Sequence, residues 1–157
     1  GVDHRDSAGA LMLGHATAWA LIELQEQDES RMVDRFVIDR PSTTGDVDDF
    51  GNPIVTYTKV YEGPGRISPY FPHGVPREVG ASTVILQNRR WRIPAEDRMA
   101  QHLASGWVTY WNGPVQTDDR VRRVTDGKRE IVGRVDSIDD DTTEQTAQRF
   151  IVEVGAR

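Results

Sequence analysis

The sequence predicts a mainly β protein: an N-terminal α-helix followed by a small antiparallel β-barrel or sandwich. Three observations carry this. Apolar residues recur at helical spacing over residues 7–29 and then switch to period 2 from Arg31. About seven short alternating segments follow, parted by Gly/Pro/Asn/Asp turn signals. The chain has 157 residues, which favours one domain able to bury a core without a disulfide or metal. The expected organisation is a helical arm over 1–30 and a barrel over 31–157, with a long loop at 68–80 and an insertion around 96–114.

In chain order, Asp6 or Ser7 can cap the helix, and Gly9 and Gly14 weaken it. Leu11, His15, Ala18 and Ile22 form one stripe, Met12, Ala16 and Trp19 a second, Leu13, Ala20 and Leu24 a third. A helix apolar nearly all round needs burial on several sides, so Leu11, Trp19 and Ile22 are expected at a subunit interface. Arg31–Arg40 alternates as a half-buried strand that Pro41 should end. Pro53–Tyr61 is the next strand, and a Gly-Pro turn at Gly63–Pro64 should open a third. Ser68–Gly80, with three prolines and two glycines, reads as a loop. A strand at Thr83–Gln87 should precede an Asn88-Arg89-Arg90 turn. A short helix fits Glu96–Ser105, and strands fit 106–111, 119–125, 129–138 and 146–154.

The composition excludes more chemistry than it suggests. Without cysteine there is no thiolate zinc site, disulfide framework or cysteine nucleophile. No apolar run reaches the ~18 residues of a membrane span, and no basic region precedes the first apolar segment, so neither a membrane anchor nor a signal peptide is expected. The net charge of −6 is unevenly spread: residues 1–50 hold 11 Asp/Glu and 4 Arg, leaving 14 acidic and 15 basic residues for 51–157. An acidic chain is a poor general binder of DNA, since duplex affinity comes largely from Lys/Arg on phosphates.

The acidic run "DVDDFG" (Asp46–Gly51) invites a calcium-loop reading. An EF-hand counted from Asp46 would need ligands at Phe50 and Tyr57. It therefore reads as a hairpin tip. The histidines His4, His15, His73 and His102 lack partners at metal-ligand spacing. No nucleophile elbow, phosphate loop or dinucleotide fingerprint is present. No catalytic residue, metal or cofactor is expected.

Two arginine clusters remain. Arg89, Arg90 and Arg92 flank Trp91, a pattern that can stack single-stranded nucleic acid. Arg120 and Arg122 share a strand face and suit an acidic rim at a protein interface.

The runs "DRFVIDRP", "TTGDVDDFGN" and "IVTYTKVYEGPGRI" resemble the head-to-tail stopper or connector proteins of siphophages, most closely neck proteins of phages infecting actinobacteria. Asp34, Val37, Ile38, Arg40, Pro41, Gly51, Tyr61, Gly63, Pro64, Arg66 and Ile67 carry the likeness. Tyr61, Gly63, Pro64 and Arg66 form its most recognisable turn. The chain departs from the pattern at Gly65, a position often Cys, and in the length of Glu96–Pro114. The resemblance implies a virion protein made in the host cytoplasm. Its expected form is a homo-oligomeric ring, sixfold or twelvefold, touching the portal or adaptor ring and the tail proteins. Packaged double-stranded DNA would pass through without specific binding. Tyr70, Phe71, His73 and Val75 are the expected channel gate. A tail terminator of the same virion, or a barrel binding single-stranded nucleic acid, are the alternatives.

Overall fold

Helix α1 covers residues 19–30 of a computed structural model that describes residues 19–69, 77–79, 82–84, 88–139 and 146–154. Then come β1 (Asp34–Val47), β2 (Pro53–Pro69), β3 (Arg77–Val79), β4 (Ser82–Val84), β5 (Asn88–Pro94), α2 (Glu96–Ser105), β6 (Tyr110–Trp111), β7 (Arg120–Arg123), β8 (Ile131–Ile138) and β9 (Ala147–Val154). Every strand pairing is antiparallel. The order β1-β7-β8-β9-β5-β2 closes on itself through β1–β2, and β6 adds to the outer edge of β2. Closure removes the open edges a sheet would otherwise present. β3 and β4 form a separate two-stranded sheet.

Alternation along the strands fills the barrel. Phe36, Ile38, Tyr61, Trp91, Ile93, Val121, Val135, Phe150 and Val152 are buried together. Phe36 and Trp91 sit 4.6 Å apart between ring centroids. Val60 and Tyr61 are both buried although adjacent, because the β1–β2 register shifts between Ile38 and Asp39. The extra residue of a bulge turns two neighbours inward. The segment 96–114 belongs to the same packing unit, supplying Met99 and Val108 to the core. Glu96–Ser105 is helical as the sequence predicts, ending at Gly106 in the left-handed conformation, φ 82°, with its N–H on the Leu103 carbonyl.

Four local expectations need correction. Pro41 does not end β1: it pairs with Tyr57, beyond the point where β7, paired only with Phe36–Asp39, leaves that edge open. A missing N–H costs nothing on such an edge. Gly63-Pro64 is no turn either; the strand runs on through Gly65 and Arg66. There the outer edge of β2 changes partner, from β6 at Tyr61–Glu62 to β5 at Arg66–Pro69. Pro64 occupies the gap, and its carbonyl accepts the buried Tyr61 hydroxyl. Asn88-Arg89-Arg90 lies inside β5, opposite Glu153, Val152 and Ile151. Of the supposed loop 68–80, Ser68 and Pro69 finish β2 and Arg77–Val79 pairs with β4.

Gly65 explains the departure noted above. A Cβ there would lie 2.1 Å from Phe36 Cε2 and 2.8 Å from the Arg92 carbonyl. The Phe36 ring occupies the space a side chain would need.

Candidate functional site

Helix α1 meets the barrel with its polar side. Gln25, Asp28 and Glu29 are buried, with Met32 one turn on. These positions share one helical stripe, and each polar member has a partner. Gln25 Nε2 donates to Asp97 at 3.1 Å. Asp28 accepts from Arg92 at 3.2 Å and from the Thr146 hydroxyl at 2.9 Å. Glu29 accepts from Arg98 at 3.0 and 2.9 Å and lies 2.8 Å from His102 Nε2. Burial alone pushes the Glu29 carboxyl up, but the hydrogen bonds and charges of Arg98 and His102 outweigh it and hold the group below the ordinary carboxylate value. Hydrogen bonding to Glu29 raises Arg98. The Trp107 ring edge covers His102, centroids 4.6 Å apart.

The rest of α1 is open and mixed in character: Trp19 is 67% exposed and Leu24 51%, alongside exposed Glu23, Glu26 and Gln27. The helix thus departs from an ordinary amphipathic one: charged and amide side chains share its inner side with half-buried Leu21 and Ile22, while two large apolar residues stay outside.

A second uncovered element is the β1–β2 hairpin. Beyond Pro41 neither strand has another neighbour among the described residues, and residues 42–59 are all exposed. Pro41, Thr43 and Val47 stand opposite Tyr57, Val55 and Pro53, so one face of this arm is largely apolar. Ser42, Thr56 and Thr58 give the other face hydroxyls. At the tip, Asp48 Oδ1 accepts from the amides of Phe50 and Asn52, both at 2.9 Å, and Gly51 takes φ 80°. The acidic run is therefore a hairpin tip, as its sequence suggests, and Asp48 is spent on the turn. Phe50 is 89% exposed.

A family model matches residues 24–153. The chain belongs to DUF6093, a family of unknown function. No curated protein and no solved structure matches it. The DUF6093 span takes in Gln25, Asp28 and Glu29, the whole arm and every barrel strand, and begins after Trp19 and Ile22.

In this DUF6093 chain the other expected site residues fall as follows. Ile22 is half-buried on α1. Leu11 and the gate residues Tyr70, Phe71, His73 and Val75 lie outside the described residues. Arg120 and Arg122 both bond Asp39 of their own chain, at 2.8 and 3.3 Å, and Arg120 also covers the Tyr57 ring at 3.6 Å. The acidic first third thus meets these arginines within the chain, through Asp39. Arg92 with Asp28 and Arg98 with Glu29 repeat the pattern, and Arg40 with Asp119 reverses it. Trp91 is 0% exposed and cannot stack a base; the strand alternation that sends Arg90 and Arg92 outward sends it inward.

Sequence reasoning missed the Glu29–Arg98–His102 cluster and the length of the arm. The i, i+3, i+4 spacing of Gln25, Asp28 and Glu29 was a signal for the first, hidden because charge at that spacing ordinarily marks a solvated face. Among the described residues no group of three or more His/Asp/Glu could hold a metal, and no helix is long and apolar enough to cross a membrane.

Proposed function

We propose that this chain is a structural subunit of a phage neck, a head-to-tail stopper or connector. In this reading, copies assemble into a ring that joins the portal and adaptor to the tail, continues the DNA channel and helps retain packaged DNA. The carrying observation is the seating of α1: the barrel holds it by Gln25, Asp28 and Glu29 and leaves the large apolar Trp19 and Leu24 outward. Large apolar side chains held outward on a fixed helix offer a contact for a neighbouring molecule to cover. A ring needs such heterologous contacts, joining different surfaces of successive copies. The net charge of −6 suits a wall along which DNA must slide, since each phosphate contact would hold it back. The motif resemblance around Tyr61 and Pro64 supplies the neck assignment. The competing single-strand binder loses its stacking group, because Trp91 is enclosed.

The test is microscopy of the purified chain and of virion necks. Closed rings of the chain, and its density between adaptor and tail, are expected; density at the far end of the tail adaptor would assign it as a terminator instead. Trp19→Asp with Leu24→Asp should abolish rings while the monomer keeps its melting transition. A chain that stays monomeric when concentrated and is absent from virions would refute the proposal.

A further inference from the structure

The arm has a counterpart at the other end of the barrel. β1 finishes and β2 begins where the arm leaves. β2 and β9 finish, and β5 and β8 begin, at the opposite end. At that far end Ile67, Arg89, Trp91, Ile131 and Val154 line a cavity of ≈ 200 Å³. An apolar cavity of roughly 150 Å³ accepts a benzene ring, so one aromatic side chain fits here. The surroundings are basic. Arg89 lines the cavity, Arg66 precedes Ile67, and Arg123 stands opposite Ile131 with its Nη2 on the Arg129 carbonyl. Of the acids at this end, Glu153 already faces Arg134 at 3.5 Å, and Glu130 is exposed.

This mouth calls for an aromatic group flanked by a carboxylate. The arm tip offers both. Phe50 stands out at 89% exposure beside Asp49, and residues 41–58 contain three aspartates and no Lys or Arg. We infer that the arm tip of one copy docks into the barrel mouth of the next, Phe50 toward the cavity and Asp49 toward Arg66 and Arg123. Because tip and mouth sit at opposite ends, the contact is heterologous and propagates from copy to copy. The inference deepens the ring reading and rests on it only in requiring that copies of this chain associate.

The absence of cysteine from the chain makes thiol cross-linking a clean test. An Asn52→Cys chain, which keeps Phe50, is mixed with an Ile131→Cys chain, or with Glu130→Cys should a change at the mouth disturb folding, under mild oxidation. Docking predicts mixed disulfide dimers forming about tenfold faster or more than with Glu26→Cys on the exposed face of α1, because the docked thiols share a high local concentration. Phe50→Ser should weaken association by at least about tenfold, the loss of one buried aromatic anchor. Equal rates at mouth and helix, dominant Asn52→Cys self-dimers, or a mouth thiol shielded in the monomer by the chain's own residues would each overturn the docking. Rings that form without tip-to-mouth cross-links would sink this inference and spare the neck reading. Cross-links in a chain that builds only open strings would do the reverse.

Discussion

Arg98 holds Glu29 by both prongs of its guanidinium, Nε to Oε2 at 3.0 Å and Nη2 to Oε1 at 2.9 Å, with both side chains buried between α1 and α2. His102 Nε2 completes the cluster at 2.8 Å from Oε2. This contact joins the N-terminal helix to the barrel, and it does so with charge rather than apolar area. A buried ion pair is costly to break because removing one partner strands the other in a dry site.

Glu29→Ala should therefore destabilise the fold by about 3–5 kcal/mol, the penalty for leaving a buried guanidinium unpaired. Replacing Glu29 and Arg98 together by apolar residues of similar volume should cost much less. Urea unfolding of the parent and the two variants reads both numbers; an equal loss in the single and double variants would contradict the account.

The same cluster sets an acid limit. Glu29 titrates below its ordinary 4.5 in the folded protein. A depressed carboxylate contributes stability above its unfolded pKa and loses it as pH falls through the folded value. Unfolding free energy should thus drop more steeply below about pH 4.5 in the parent than in Glu29→Gln. Parallel curves for the two proteins would remove Glu29 from the explanation.

Gly65 should not tolerate a side chain. Gly65→Cys drives Cβ into Phe36 at 2.1 Å, and overpacking of this kind costs about 1–3 kcal/mol. Phe36→Leu in the same chain should recover part of the loss, not all, since the Arg92 carbonyl also crowds the site at 2.8 Å. A double-mutant cycle on thermal melts measures the coupling.

Tyr61→Phe removes the donor that satisfies the Pro64 carbonyl in the gap between β6 and β5. The expected cost is about 1–3 kcal/mol, the desolvation penalty of an unsatisfied buried acceptor. Denaturation with an unchanged m-value would show that the loss is local.

Shortening the arm should leave the barrel intact. Joining Ser42 to Thr56, which stand opposite each other, through an Asn-Gly turn removes only exposed residues. Stability should stay within about 1 kcal/mol of the parent. A large loss would mean that the arm supports the fold.

Local patterning was enough for the class of fold and the order of its elements. The shift from helical to alternating periodicity at Arg31, the short helix at Glu96–Ser105, the strands over 129–138 and 146–154 and the hairpin tip at Asp48–Asn52 are all legible, because each rests on spacing within one segment. Where one strand changes neighbours, patterning misleads. Pro41 and Pro64 read as punctuation, yet both lie inside strands, since whether a missing N–H matters depends on the strand alongside. The same holds for charge. Spacing within residues 19–30 puts Gln25, Asp28 and Glu29 on one stripe but does not decide that the stripe is buried; that depends on Arg98, His102 and Arg92 arriving from distant parts of the chain. Side-chain spacing is a property of a segment, whereas burial and ion pairing belong to the packed whole.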